Sequence, residues 1–416
     1  MLELPNIIIC VFLFVSLFFE VFLLLTFLEN RPKMKTFLNN TPFNYPTATI
    51  VVPCFNEAES VFGTIDSLLA LDYPKEKLNI MIVDDGSSDN TWDLVQKYKD
   101  NPIIELYKKT NGGKHTALNY AISKSESDII GCLDADSFVD KDALKNIAQY
   151  FSNQETMAVT PAIKIYSPDN ILRKVQNVEY DWGIFLRKML SNLDALYVTP
   201  GPFSFFRREV FSKIGPYKEA HNTEDMEMAM RMQANGYKIK NCHTAFVYTI
   251  APHKFSKLFT QRLRWTYGFL KNIIDYRDLF FNKQQGHLGF LVLPMMMISA
   301  FSTLLMALFF LINLTSKIQN WFLNWQAVNF NSYSLKNYLH FDFQWFYFKT
   351  DTVTVITVIS FLVMIILILI GRKISEGKIR PKLDLLYFFI IYPIISPLWL
   401  AKSVYNVIIS KKTAWR

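Results

Sequence analysis

Only four cysteines occur in 416 residues, at Cys10, Cys54, Cys132 and Cys242, and no two lie close together. That scarcity excludes a disulfide framework and a cysteine-based zinc module, and it fits thiols packed in a reducing compartment. Internal repeats and low-complexity tracts are also missing. The leader Met1-Leu2-Glu3-Leu4 lacks positive charge and no small-residue cleavage site follows, so the first apolar run is expected to stay in place rather than be cleaved. No nucleic-acid recognition motif accompanies the formal charge of +8, so nucleic acid is not an expected partner. The excess cations suit anionic lipid headgroups and an anionic substrate instead. What the chain has in abundance is apolar surface, with 51% hydrophobic and 15% aromatic residues. That is enough for a full core and several lipid-facing segments.

Ile7 to Leu28 is long enough, at 1.5 Å per residue, to cross a ~30 Å hydrocarbon layer. Arg31, Lys33 and Lys35 follow it and place the next region in the cytoplasm by the positive-inside rule. Glu20 interrupts the run. An ionisable group at that depth costs about 3 kcal/mol unless it meets protein or water, so it marks either a helix-helix contact or a polar translocation path. Leu288 to Leu314 and Val353 to Ile370 predict two more spans, and Leu385 to Ile409 a fourth segment broken by Pro393 and Pro397. The basic loop Arg372 to Lys382 is expected inside. Four full crossings would leave Lys411 to Arg416 outside, against the charge rule, which favours a kinked or re-entrant last segment. Ser316 to Lys349, rich in Trp, Phe, Tyr and Asn, reads as an external or interfacial connection.

Between the first two spans, Ala48 to Val52, Leu78 to Val83, Ile103 to Tyr107 and Ile129 to Leu133 predict short strands. Helical spacing at Ala58 to Leu71 and Thr91 to Lys99 alternates with them. Such alternation gives an α/β fold with a mainly parallel sheet, whose ligands collect beyond the carboxyl ends of the strands. There stand Pro53-Cys54-Phe55-Asn56-Glu57 and Asp84-Asp85-Gly86-Ser87-Ser88-Asp89-Asn90. Their acids are able to accept hydrogen bonds from a uracil ring and ribose, or to cap the next helix as an Asx turn. Asn111-Gly112-Gly113-Lys114 sets a cation over a phosphate or forms an ordinary solvated turn.

Asp134-Ala135-Asp136 closes the fourth strand. Alternate residues of an extended chain point the same way, so both carboxylates are expected to converge on one hard cation, Mg2+ or Mn2+, that bridges a diphosphate. Asn222 and Thr223 are expected to cap a helix from Glu224 toward Asn235, with Gly236 as its stop. Asp225 then lies in the first turn, either as a base for a sugar hydroxyl or as a complement to the helix dipole, which should favour its ionised form. Gln261-Arg262-Leu263-Arg264-Trp265 lies in the basic, aromatic stretch Phe255 to Tyr276. As a plain interfacial helix it would set Arg262 and Arg264 on headgroups; as a site it would stack Trp265 on a sugar and hold diphosphate with Arg264. His115, His221, His243 and His253 are too scattered to form a ligand set.

Taken together, VPCFNE, VDDGSSDNT, NGGKHTALN, CLDADS, TEDMEMAMRMQANGYKI and QRLRW cover Thr47 to Tyr267. In this order they resemble the membrane-integrated, processive family 2 glycosyltransferases, which include the hyaluronan, chitin and cellulose synthases. The single leading span and the Gly-Tyr-Lys-Ile stretch look most like the poly-β-1,6-N-acetylglucosamine synthases, and no PilZ-like extension follows the last segment. The resemblance implies a GT-A-like, Rossmann-type nucleotide-sugar domain inserted between transmembrane and interfacial helices. It divides the chain into a transmembrane segment at 1–35, a cytosolic transferase domain at 36–250, interfacial helices at 251–285 and a membrane region at 286–416.

By position, the resemblance implies Glu57, Asp85 and Lys114 at the nucleotide, and Asp134 and Asp136 at a Mg2+ or Mn2+ diphosphate. Asp225 would be the general base, Gln261 and Arg264 would serve the diphosphate and gating, and Trp265, Gly201 and Glu224 would bind the acceptor. Thr199-Pro200-Gly201-Pro202-Phe203 stands where relatives place an acceptor-facing loop. The implied partners are a UDP-sugar donor, a growing polysaccharide, the lipid bilayer and accessory membrane or export subunits, with the protein multi-pass in the plasma membrane and its catalytic domain cytoplasmic. The expected activity is inverting, processive β-transfer from a UDP-sugar, UDP-N-acetylglucosamine first. Single transfer to a polyprenyl phosphate and a non-catalytic transporter or scaffold are the alternatives.

Overall fold

The computed structural model describes residues 4–36, 44–327, 351–379 and 381–411. Its centre is an eight-stranded sheet of β1 (Ala48–Cys54), β2 (Leu78–Asp84), β3 (Ile104–Lys108), β4 (Ile129–Cys132), β5 (Ser137–Val139), β6 (Thr156–Ile165), β7 (Phe205–Arg207) and β8 (Lys238–Thr249). The spatial order is β3-β2-β1-β4-β7-β6-β8-β5. The first four are parallel, with Val52 opposite Ile82 and Val51 opposite Cys132. Ile50, Val51 and Val52, and Ile80, Met81 and Ile82, are all buried; successive residues point to opposite faces, so these strands are covered on both.

The four strands read from the sequence are these four, within about two residues at each end. β5 to β8 were not foreseen. β5 and β7 are three residues each and β6 contains Pro161, so none carries a strand-length β-branched run. β7 runs antiparallel to both β4 and β6 and so joins the parallel β1 to β4 half of the sheet to its second half. The close fit there needs Gly131, because a Cβ at that position would sit 2.7 Å from the Phe205 ring.

The chain divides into two compact units, Met1–Phe22 with Met295–Ile365 and Leu23–Pro294 with Ile366–Arg416. Among the described residues four helices are long and apolar enough to cross a membrane, Ile7–Pro32, Leu288–Ala327, Thr352–Glu376 and Leu383–Ile408. Inside the first unit Glu20 is buried and accepts a hydrogen bond from Ser360 at 2.9 Å, which is the helix-helix contact of the two roles open to it. Three expectations change. Leu293–Ala327 is one helix, so Ser316 to Ala327 is helical rather than a connection, and 328–349 lie outside the described residues. Leu383–Ile408 is also unbroken, with Pro393 and Pro397 inside it, so the prolines do not divide the last segment. Arg372 is not in a loop at all. It is fully buried in the Thr352–Glu376 helix, held by Asp181 at 2.9 Å and by both oxygens of Asp384 at 3.2 and 2.9 Å.

Candidate active site

β1 and β2 end side by side, joined past their last residues by Asp85 N–H donating to Cys54 C=O at 2.8 Å. Gly86, at φ +77°, lets the chain turn against the backbone of Asn111, which a Cβ would strike at 2.8 Å. Asp85 is buried, and its carboxylate accepts from Lys109 at 2.5 Å and from the amides of Gly112 and Gly113 at 3.1 and 2.8 Å. It therefore builds the loop that launches the Lys114–Lys124 helix. Glu57 is fixed by its backbone N–H to Thr91 Oγ1 at 2.8 Å and by Ser60 Oγ on its carboxylate at 2.9 Å. Lys109 had no mark in the sequence, and Thr91, the last residue of VDDGSSDNT, carried no sign that it would hold Glu57.

Asp134 and Asp136 converge by a different route from the expected one. β4 stops at Cys132, and Asp134-Ala135-Asp136 forms a tight turn closed by Ser137 N–H to Asp134 C=O at 3.0 Å. The extended-chain reasoning is corrected on this point. Ala135 is buried and Thr64 donates to its carbonyl at 2.8 Å, which pins the turn to the Val61–Leu69 helix. Enclosure, then Asp134, then Glu57 push the Asp136 carboxyl up to about 6. Repulsion of this kind marks a surplus of negative charge gathered at one place.

Lys114 bridges this turn to the second carboxylate group. Its Nζ bonds Asp134 at 2.5 Å and lies 3.6 Å from Glu224. Burial alone would lower the ammonium pKa, but Asp134 and Glu224 raise it above the ordinary lysine range. Gly201 closes over the pair, where a Cβ would come 2.7 Å from Lys114 Nζ. Thr199 of the same loop donates to Asp225 C=O from its backbone at 3.2 Å and from its hydroxyl at 2.8 Å. The Thr199 to Phe203 loop thus touches both Asp134's partner and Asp225's backbone.

The Glu224–Ala234 helix starts at Thr223, but the Thr223 side chain does not cap it. Its hydroxyl accepts from Asn272 at 2.9 Å and donates to Ala220 C=O at 3.1 Å. A Cβ on Gly268 would lie 2.3 Å from that side chain, so the Phe255–Asp275 helix packs tightly on the entry to the Asp225 helix. The Asp225 carboxyl is pushed up to about 6, by burial first and Glu224 second, against the pull of Lys114, Met226 N–H and Arg264. The helix dipole does not keep it strongly acidic; desolvation beside a second carboxylate outweighs a half-charge at the helix end.

Along the Phe255–Asp275 helix, Arg262 is buried rather than turned to headgroups. It pairs with Glu179 at 2.7 Å, bonds Gln261 at 2.9 Å and lies 4.2 Å over the Trp265 ring. Glu179 escaped the sequence reading, although an acid in the apolar run Val178 to Phe185 was a signal that a cation lies opposite. The four cysteines are all free. Among the described residues no three His, Cys, Asp or Glu form a self-sufficient metal cage.

The Glycosyl transferase family 2 model matches residues 49–215, the stretch holding β1 to β7, Glu57, Asp85, Asp134 and Asp136. Residues 49–215 are a family 2 glycosyltransferase domain. The chain that carries this glycosyltransferase domain is similar to two curated proteins named poly-beta-1,6-N-acetyl-D-glucosamine synthase. The one from Staphylococcus aureus (strain COL) is 34% identical over 223 residues, 53% of this chain and 54% of that protein. The one from Staphylococcus epidermidis is 28% identical over 318 residues, 76% of this chain and 73% of that protein. The chain spans about half the length of the first of these curated relatives. Among solved structures, the mannosyltransferase PcManGT from Pyrobaculum calidifontis, in complex with GDP-Man and Mn2+, is similar with a TM-score of 0.52 and 22% identity, over 65% of this chain and 75% of that one. The fold is the expected one, a GT-A-like glycosyltransferase sheet flanked by apolar helices.

Proposed function

We propose that the chain is a processive, inverting β-glycosyltransferase that polymerises a sugar from a UDP-sugar, UDP-N-acetylglucosamine first, into a membrane-translocated polysaccharide. The observation that carries this reading is the Lys114 bridge. One ammonium touches Asp134 of the carboxylate turn and reaches Glu224, the neighbour of Asp225. A donor diphosphate at the turn therefore stands beside the proposed base.

In this reading Glu57 and the loop anchored by Asp85 meet the nucleoside. Lys114 and Arg264 neutralise the diphosphate, and Gln261 and Trp265 meet the acceptor terminus with Gly201 and Glu224 shaping the space between. Asp134 and Asp136 would hold a divalent cation. All their donors are hard oxygens, and Mg2+ or Mn2+ takes one or two carboxylates with substrate phosphates rather than a full protein cage, which fits this pair. Bound there, the ion offsets charge on the leaving diphosphate.

Asp225 takes the proton of the acceptor hydroxyl as its oxygen bonds to the anomeric carbon. The bond from that carbon to the diphosphate oxygen breaks, and its electron pair leaves with UDP. Attack from the face opposite UDP turns an α-linked donor into a β-linked product. A carboxyl titrating near 6 is ionised at neutral pH yet basic enough to share a proton in the transition state. The names of the curated relatives support N-acetylglucosamine as the sugar. Four long apolar helices support a multi-pass protein of the plasma membrane, with the 36–250 domain cytoplasmic and 251–285 interfacial.

The test uses the full chain in nanodiscs with Mg2+ or Mn2+ and UDP-N-acetylglucosamine, UDP-glucose or UDP-glucuronate offered separately. UDP release with a high-molecular-mass β-linked product from the first donor is expected. An organic-extractable glycolipid as sole product would replace polymerisation by single transfer to a polyprenyl phosphate, and no UDP release from any donor would remove the enzymatic reading.

A further inference from the structure

Four arginines lie on or against the Ile171–Asn192 helix among the described residues, and three of them are matched by carboxylates. Arg173 has Asp169, Arg262 has Glu179, and Arg372 has Asp181 and Asp384. Arg187 differs. Its Nε and Nη2 are buried with no hydrogen-bond partner, and burial lowers its guanidinium pKa below the ordinary arginine range. The nearest acid by charge, Glu179, is already committed to Arg262.

The local sequence makes room for this side chain. Tyr180, Gly183 and Arg187 share one helix face at i, i+3 and i+7. A Cβ on Gly183 would lie 3.2 Å from Arg187 Nη1 and 3.5 Å from Nη2, so the guanidinium lies back over the glycine toward the helix N-terminus. Tyr197 is close enough for Arg187 to pull on its phenol, and its ring meets Phe269 of the Phe255–Asp275 helix edge-on at 6.2 Å. Glu179, next to Tyr180 in the chain, bonds Arg262 at 2.7 Å, and Arg262 lies 4.2 Å over the Trp265 ring. The stripe therefore starts beside the Gln261 to Trp265 cluster and runs on along the helix.

We infer that Gly183 and Arg187, flanked by Tyr180 and Tyr197, form a subsite for the acceptor saccharide behind its reacting end. A guanidinium has donors and no acceptors, so its occupant must present oxygen lone pairs. A sugar chain offers hydroxyl or N-acetyl carbonyl oxygens together with the apolar ring faces that tyrosines pack against. This inference rests on the transferase reading above and adds a residue that none of the six motifs contains.

The experiment uses the full chain in nanodiscs, a β-linked N-acetylglucosamine oligosaccharide as added primer, saturating UDP-N-acetylglucosamine, and calorimetry of UDP alone. Arg187→Met should raise the primer KM about tenfold, the equivalent of one lost pair of hydrogen bonds, with UDP affinity within about twofold of wild type. Arg187→Lys, which keeps the charge without the fork, should fall between the two. Gly183→Ala changes no charge and should also raise the primer KM, by displacing the guanidinium. Wild-type primer KM in both Arg187→Met and Gly183→Ala overturns the subsite, as does a loss of UDP affinity that matches the rise in primer KM. Should Arg187→Met fail to fold, Gly183→Ala decides alone. Wild-type protein that releases no UDP defeats the transferase reading instead, a result the variants do not mimic.

Discussion

The two walls of the candidate site are built on opposite principles. On the strand side, carboxylates are buried and crowded together: Asp136 is destabilised as an anion by burial and then by Asp134 and Glu57, and Asp225 by burial and then by Glu224. On the helix side, cations are paired with acids, as in Arg262 with Glu179 and Arg372 with Asp181 and Asp384, and Arg187 is the exception. Matched buried pairs fix where helices sit, whereas an unmatched cluster waits for a ligand that brings the missing charge. If this division is right, substitutions on the strand wall should harm chemistry while sparing the fold, and substitutions on the helix wall should do the reverse.

The sharpest break of that comparison is Asp225→Asn. Removal of a general base costs roughly a hundredfold to ten-thousandfold in rate, and kcat for UDP release should fall within that range while UDP affinity, measured by calorimetry, stays near wild type. Turnover at the wild-type rate would take Asp225 out of the chemistry. Next comes the helix wall. Glu179→Gln leaves the Arg262 guanidinium buried without its anion, a change that costs about 3–5 kcal/mol when a buried pair is broken from one side. The melting temperature in detergent should drop clearly. A double variant, Glu179→Gln with Arg262→Met, should recover much of the loss if the pair serves packing alone. Recovery of stability without recovery of rate would show that Arg262 also positions Trp265.

A third prediction sets stability against acidity. The Asp225 carboxyl rises from 3.8 to about 6 in the folded chain, so the folded state holds this proton more tightly than the unfolded one. Its contribution to stability is present below pH 4, is lost as pH rises toward 6, and stays lost above that. Asp225→Asn has no such titration. The melting temperature of the variant minus that of wild type should therefore be larger at pH 7.5 than at pH 4.5, by the equivalent of about 1–3 kcal/mol. Activity moves the opposite way, since the base works only when ionised, and the rate should climb through an apparent pKa near 6. A stability difference that is flat with pH would mean the carboxyl is not raised.

The strand wall was the legible one. β1, β2 and β4 announce themselves by short β-branched runs, and the loops after them must lie at one sheet edge, so Glu57, Asp85, Asp134 and Asp136 could be gathered before any coordinates. Even there the reason for convergence was wrong, because hydrogen bonding across Asp134 to Ser137 made a turn where alternation implied a strand. The helix wall was less readable. Glu179 and Arg262 stand 83 positions apart, and nothing in local periodicity tells a charged residue which distant partner will bury it. The same blindness hid Asn272, whose amide finds Thr223 only after the Phe255–Asp275 helix packs on the start of the Glu224–Ala234 helix, and the bond from the Thr199 hydroxyl to Asp225 C=O, although the loop that begins at Thr199 had been singled out.

Thr199 gives the smallest and most discriminating effect. Its hydroxyl donates to Asp225 C=O at 2.8 Å while its own N–H donates to the same oxygen at 3.2 Å. Thr199→Val keeps the shape and the backbone bond and removes only the hydroxyl, so the fold should lose about 1 kcal/mol at most. The effect on rate depends on what the bond is for. If Thr199 merely stabilises the loop beside Lys114, kcat and KM should remain at wild-type values. If it sets the height of Asp225 relative to the carboxylate turn, a small shift of the base is amplified in the transition state, and kcat should fall severalfold to about tenfold with the donor KM unchanged. The second outcome is expected, because Thr199 to Phe203 joins both halves of the site. Gly201 lies against Lys114 and Asp134 in the same five residues that hold the Asp225 backbone. Equal rates for Thr199→Val and wild type, measured as initial UDP release at saturating donor, would confine this loop to a structural part and leave the Lys114 bridge alone to align donor and base.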